Sequence, residues 1–178
     1  MIGFVVEGSS DKKVIEEICK KIHIKPEIRH KRPGGGISPR KTESYAKDLL
    51  YKKSCKKVII LKDSHCSDPA EVERRTRDKI KFNENVKICI VVHAIESWLL
   101  ADEEAIGDYL GVNIKRIHNP EDACKPEEVL DGFFKKNGRE YIKGGEDPRE
   151  IAKRLRLEKV IQKCPSFIKF KQVIIERS

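Results

Sequence analysis

The sequence predicts an α/β fold with a mainly parallel central sheet, flanked by helices and followed by a helical C-terminal portion. Three observations carry this. Short, almost wholly apolar runs at 2–6, 58–61 and 86–92 have the length of buried strands. The segments between them place apolar residues at helical spacing, and such alternation of strand and helix marks a parallel sheet with right-handed crossovers. After about Tyr109 the apolar runs give way to helical stretches punctuated by proline and glycine. With 178 residues the chain has the size of one domain, with a core over about 1–110 and an extension over about 111–178. That length buries a core without disulfide staples.

Taken in order, Ile2–Val6 reads as the first strand, stopped by Glu7-Gly8. Ser9 or Ser10 is the expected cap of a helix with Val14, Ile15, Ile18, Cys19 and Ile22 on one face. Residues 26–31 read as a short polar strand, and 31–41 as a basic Gly/Pro loop. A second helix then runs to about Lys53, with Tyr45, Leu49 and Leu50 on one face. Val58–Leu61 is a strand ended by Lys62-Asp63, and Pro69 opens a charged helix where its missing N–H costs nothing. Val86–Val92 is a further strand, and the next helix begins over Ile95–Leu100, with Trp98, Leu99 and Leu100 in the core. Residues 111–125 lack periodicity, and helices are expected near 126–136, 148–163 and 166–176.

Charged residues make up 38% of the chain, against about 25% in an average globular domain, and the formal net charge is +9. A basic excess of this size points to a polyanionic partner, nucleic acid first. Abundant Lys, Glu and Ile with only two Gln also fit the ion-paired surface of a heat-adapted protein. No stretch approaches the ~20 apolar residues of a membrane span, and Met1 leads into a strand-like run rather than a signal peptide. A soluble, cytoplasmic protein with no membrane partner is therefore expected. The six cysteines form no CxxC or CxxH pair, so no structural zinc site is expected. Cys19 and Cys89 read as core residues, and an ordinary cytosol would keep the thiols free, although a hyperthermophile's would permit disulfides.

Ligands of open parallel sheets bind beyond the carboxyl ends of the strands, and that is where this sequence puts acids. Glu7 follows the first strand, Asp63 follows Val58–Leu61, and Glu96 follows Val86–Val92. Asp11 lies in the first turn of the first helix. Singly, each has a structural explanation: Asp11 complements a helix dipole, Glu7 and Asp63 sit in turns, and Glu96 opens a helix. Together they can converge on one pocket of oxygen donors suited to Mg²⁺ or Mn²⁺. Crowded carboxylates repel one another unless a cation joins them, and such a cluster beside a basic loop suits phosphate-ester chemistry.

The same residues carry a family resemblance. Phe4-Val-Val-Glu-Gly-Ser-Ser-Asp11 resembles the first motif of Toprim domains, a strand followed by Glu-Gly-x-x-Asp. Val58-Ile-Ile-Leu-Lys-Asp63 resembles the strand that delivers their Asp-x-Asp motif. His93-Ala-Ile-Glu-Ser-Trp-Leu-Leu-Ala-Asp102 and the late Pro165-Ser-Phe-Ile-Lys-Phe170 resemble segments of a Toprim-like family labelled DUF4276. The resemblance covers residues 1 to about 110 well and the remainder loosely. It implies a Rossmann-like Toprim fold, the metal-dependent core of type IA topoisomerases, primases and overcoming-lysogenization-defect nucleases. In that scheme Glu7 is a general acid/base or metal ligand, Asp11 and Asp63 hold Mg²⁺ or Mn²⁺, and Glu96 helps complete the site. The second acid of Asp-x-Asp falls at His65, a poorer Mg²⁺ ligand that suits Mn²⁺, Zn²⁺ or Fe²⁺. Asp68 is a candidate replacement carboxylate, although a helix begins directly after it.

The loop from Arg29 to Lys41 carries Arg29, Lys31, Arg32, Arg40 and Lys41 around three consecutive glycines. Backbone N–H groups freed by glycine and charge-assisted bonds from Arg and Lys suit phosphate contacts. Lys143-Gly-Gly-Glu-Asp-Pro-Arg149 reads either as a further phosphate contact or as a helix-initiating turn. The function expected is a metal-dependent nuclease or related phosphotransfer hydrolase acting on nucleic acid. A genomically linked ATPase partner is compatible with it. The alternative is a non-catalytic nucleic-acid-binding or regulatory module whose metal site has decayed, for which His65 is the best support.

Overall fold

The computed structural model describes residues 1–30, 38–81 and 84–176. Its centre is a four-stranded, all-parallel sheet in the order β2-β1-β3-β4, built from β1 (Ile2–Val6), β2 (Pro26–His30), β3 (Lys57–Asp63) and β4 (Val86–Val91). Helix α1 (Ser9–Lys21) joins β1 to β2. Helix α2 (Pro39–Lys47) and the π-turn Asp48–Lys52 precede β3, and α3 (Pro69–Lys79) joins β3 to β4. The α/β expectation and all four strands are thus observed.

Side-chain alternation divides the sheet into two unequal faces. Phe4 and Val6 of β1, Ile59 and Leu61 of β3, and Cys89 and Val91 of β4 enter the larger core with Val14, Ile15 and Ile18 of α1. Val5, Val58 and Ile60 enter a smaller cluster with Ala46, Leu49 and Cys55, on the side of α2. The same alternation sends the last residues of β3 to opposite sides, with Asp63 on the α1 side and Lys62 on the α2 side.

The C-terminal portion consists of α4 (Glu96–Leu100), α5 (Glu103–Leu110), a 3₁₀ turn at Pro120–Asp122, α6 (Pro126–Lys136), α7 (Asp147–Arg154), α8 (Leu157–Lys163) and α9 (Pro165–Ile175). It closes the larger face. Trp98, fully buried, meets Phe167 edge to face at 5.0 Å and the tilted Phe170 ring at 5.1 Å, and its indole N–H donates to Ser166 Oγ at 2.8 Å. The two late segments of the family resemblance therefore pack on each other. Phe170 also reaches Phe4 of β1. At the opposite end of the sheet the buried Lys57 ammonium donates to the carbonyls of Val173, Ile174 and Glu176, satisfying acceptors that the end of α9 leaves open.

Three local expectations are corrected. The cap of α1 is Gly8 rather than Ser9 or Ser10; its N–H is satisfied by the Asp11 carboxylate at 2.8 Å, so the helix starts earlier. The helix expected over 148–163 is two helices. Leu155 turns extended, and the N–H of Arg156 donates to Asp102 instead of continuing the ladder. The segment expected to open at Ile95 stops at Leu100, and α5 restarts with Asp102 as its cap. Cys66 and Cys124 are joined by a disulfide, the outcome an ordinary cytosol disfavours and a hyperthermophile's permits, because the loop after β3 and the segment before α6 meet in space. Cys19, Cys55, Cys89 and Cys164 are free and buried. Among the described residues no helix is long and apolar enough to cross a membrane.

Candidate acidic site at the strand ends

The carboxyl ends of β3 and β4 and the start of α1 bring three of the predicted acids, Asp11, Asp63 and Glu96, together. Asp63 ends β3 and is 7% exposed; Asp11 in the first turn of α1 is 5% exposed; Glu96 at the start of α4 is fully buried. Burial, reinforced by the charge of Glu96, pushes the Asp11 carboxyl up to about 7, against the Gly8 N–H and Lys143, which pull it down. Burial and then the charges of Asp11, Glu7 and Glu96 raise Asp63 well above the usual carboxylate range. Among the described residues the Asp63 side chain has no hydrogen-bond or ion-pair partner. A charged group taken out of water without a partner is costly, so its neighbours need an explanation beyond stability.

Glu96 is held more firmly. Its Oε1 accepts from Ser10 Oγ at 3.4 Å and from the Tyr141 hydroxyl at 3.2 Å. Burial first, and then Glu96 itself, push the Tyr141 hydroxyl upward, so it stays a donor. Lys143 Nζ lies 3.2 Å from Glu96 Oε2, yet this charge contact leaves Oε2 without an aligned hydrogen bond among the described residues. Burial works against the Lys143 charge, but Glu96 and Asp63 outweigh it and raise its pKa.

Lys143 arrives on the loop before α7, and that loop is tied down at both ends. Tyr141 N–H donates to Asp131 and Ile142 N–H to Asp147, while Asp147 also accepts from the Tyr109 hydroxyl. The ammonium of Lys13 on α1 donates to the carbonyls of Gly144 and Gly145 and pairs with Glu146 at 2.9 Å. Sequence reading noticed the Gly-Gly turn but missed that Tyr141 and Lys143 enter the acidic site. Nothing local signals it, because their partner Glu96 lies on another element.

Glu7 stands on the other side of β1, as alternation requires. Its carboxylate pairs with Lys62 at 3.0 Å and lies 3.6 Å from His65 Nε2. His65 is exposed and has a left-handed backbone (φ 46°), as has His93 (φ 61°). The two turns are tied together: His65 N–H donates to the His93 carbonyl at 2.8 Å, and His93 N–H donates to Ser64 Oγ at 2.8 Å. Asp68 is exposed and caps α3 by accepting from Ala70 N–H at 2.8 Å. It is therefore engaged away from the cluster.

For the basic loop, Lys31 and Arg32 lie outside the described residues. Arg29 is already paired with Asp48 at 2.8 Å, and Lys41 lies 4.8 Å over the Tyr45 ring. Arg40 is exposed near the start of α2.

The donor set suits a hard divalent cation: Asp11, Asp63 and Glu96 offer oxygens only, with Asp63 unpartnered and Glu96 Oε2 lacking an aligned donor. As the side chains stand, no three His, Cys, Asp or Glu groups among the described residues form a ready cage, and Lys143 and Lys62 supply positive charge there.

A family model described as "Domain of unknown function (DUF4276)" matches residues 6–174. Among solved structures, the C-terminal region of the Burkholderia pseudomallei OLD protein aligns with a TM-score of 0.52, covering 97% of this chain and 96% of that one at 13% identity. At that identity the likeness is one of fold, and the fold is Toprim-like. No curated protein sequence matches the chain significantly.

Proposed function

The chain belongs to the DUF4276 family, and we propose that it is a metal-dependent nuclease or related phosphotransfer enzyme acting on nucleic acid phosphodiesters. The observation that carries this is Asp63: a buried carboxylate among Asp11, Glu7 and Glu96, opposed by the charge of Lys143 but with no hydrogen bond or ion pair of its own among the described residues. Paired structural acids do not look like this, whereas acids arranged to share a cation do. The Toprim-like fold shared with the OLD C-terminal region supports it, since the Toprim resemblance of Glu7, Asp11 and Asp63 implies a metal-dependent nuclease.

Asp11, Asp63, Glu96 and Glu7 would hold Mg²⁺ or Mn²⁺. A bound ion would supply a nucleophilic hydroxide and neutralise charge on the phosphate. Ser10 and Tyr141 fix the Glu96 carboxylate, and Lys62 holds Glu7 at the mouth of the site. Lys143, charged and carrying only donors, would meet a phosphate oxygen beside that cluster. Lys41 and Arg40 at the start of α2 would steer the strand through its phosphates without reading its sequence.

The test is calorimetry of Mn²⁺ and Mg²⁺ binding, wild type against Glu7→Gln and Asp63→Asn, followed by cleavage assays on DNA and RNA. Metal uptake by wild type that both variants lose, with a cleavage loss of roughly 100-fold or more, is expected. Absence of uptake at millimolar metal would refute catalysis. A second reading then takes over, a nucleic-acid-binding module with a decayed site, for which His65 in place of an acid and its contact with Glu7 speak.

A further inference from the structure

On the α2 side of the sheet, between α2 and α3, a cavity of about 250 Å³ opens directly beside Glu7. Helix α3 buries little of itself: among its residues only Thr76 is buried, so the helix leaves the sheet partly uncovered. The walls are apolar, with Val5 and Ile60 from the sheet and Val72 and Ile80 from the α3 region. Two buried threonines, Thr42 and Thr76, also line the cavity. Thr42 Oγ1 donates to the Ser38 carbonyl at 3.1 Å, and Thr76 Oγ1 donates to the Val72 carbonyl at 2.7 Å. Each has spent its proton, so each oxygen can only accept from a further partner. Three cations line it as well: Lys62, paired with Glu7, Arg75, paired with Glu71, and Lys79, which has no ion-pair partner among the described residues.

An apolar slot lined also by hydrogen-bond acceptors and cations has the chemistry of a nucleobase site. The ring buries its faces, its amino or imino N–H groups meet the hydroxyl oxygens, and the flanking phosphates meet the lysines. A lipid chain would leave Thr42 and Thr76 without a use, and an acidic peptide would leave the walls without one. Position adds a further constraint. The slot begins at Glu7, so a base seated in it belongs to a nucleotide next to the phosphodiester at the acidic site.

We propose that the α2–α3 cleft is a base-binding subsite, and that the substrate is therefore single-stranded or frayed nucleic acid. This rests on the nuclease reading above. A base inside a duplex is stacked and paired, and extracting it costs several kcal/mol that an unpaired strand does not incur. The site would tolerate several bases, because its walls recognise a flat ring and its two acceptors recognise any amino or imino group.

The test is fluorescence anisotropy of short labelled oligonucleotides in calcium buffer, since calcium fills oxygen-donor sites. One abasic position is walked along the strand, in DNA and RNA arms that separate the two sources of the base. Wild type should bind roughly tenfold more weakly when one particular position lacks its base, and should prefer single strands to the matching duplex. Val72→Trp, which fills the cleft, should bind intact and abasic strands alike; if that variant fails to fold, the wild-type walk decides alone. Binding that is salt-sensitive but indifferent to every abasic position, or that favours duplex, overturns the subsite and leaves the nuclease reading standing. Failure to bind any oligonucleotide overturns both.

Discussion

Asp63 and Asp102 are both buried aspartates at the ends of secondary-structure elements, yet their surroundings are opposites. Asp102 is fully buried and meets Arg156 three ways: from the backbone N–H at 2.8 Å, from Nε at 3.0 Å and from Nη2 at 2.6 Å. It also accepts from Ala105 N–H at 3.4 Å as the cap of α5. Burial alone would raise its pKa, but the hydrogen bonds and charge of Arg156 outweigh that and hold it below the usual carboxylate range. Asp63 is nearly as buried, has no such partner, and is held above that range by burial and three other acids. The first arrangement is what a buried carboxylate needs in order to stabilise a fold. The second works against stability, with only the charge of Lys143 to offset it, and the cation proposed above would relieve it.

Breaking the Asp102 pair is the most severe test of this contrast. Asp102→Ala removes the α5 cap and the acceptor of the Arg156 N–H, leaving the partly exposed guanidinium with Glu104 alone, and should cost about 2–3 kcal/mol of unfolding free energy in a urea titration. Asp63→Asn should do the reverse. Removing one of several crowded like charges should leave the metal-free protein unchanged or about 1 kcal/mol more stable, while metal uptake disappears. A large loss of stability in Asp63→Asn would show that Asp63 is structural after all. The smallest effect is in pH dependence. Because the folded pKa of Asp102 lies below its unfolded value near 3.9, its contribution is complete above that value and is lost as pH falls through the folded pKa. Wild type should therefore lose stability below about pH 4 more steeply than Asp102→Asn does, as read from thermal midpoints across pH.

The contrast also explains what could be read from the chain alone. Glu7, Asp63 and Glu96 were legible because strand ends are recognisable as apolar runs and ligands of parallel sheets gather beyond them. The partners that decide what each acid does were not. Arg156 lies 54 positions from Asp102, and Lys143 and Tyr141 reach Glu96 across the larger core. Hydrophobic period locates an element but carries no information about which polar side chains will face each other across two of them. Local rules also competed at the start of α1: serine is the better cap by propensity, but Asp11 turned back on Gly8 and freed Ser10 to reach Glu96. Asp68 was the converse case, a carboxylate with a plausible place in a metal site that the start of α3 uses as its cap.

The break between α7 and α8 has a dynamic consequence. One carboxylate accepts the amide protons of Ala105 and Arg156, which belong to segments far apart in the chain. Each amide binds a different oxygen of that carboxylate, so one rotation of the Asp102 side chain releases both. In native-state hydrogen exchange the two should therefore lose protection together, as one opening unit, and that opening should involve the start of α5 and the start of α8 without touching the central strands.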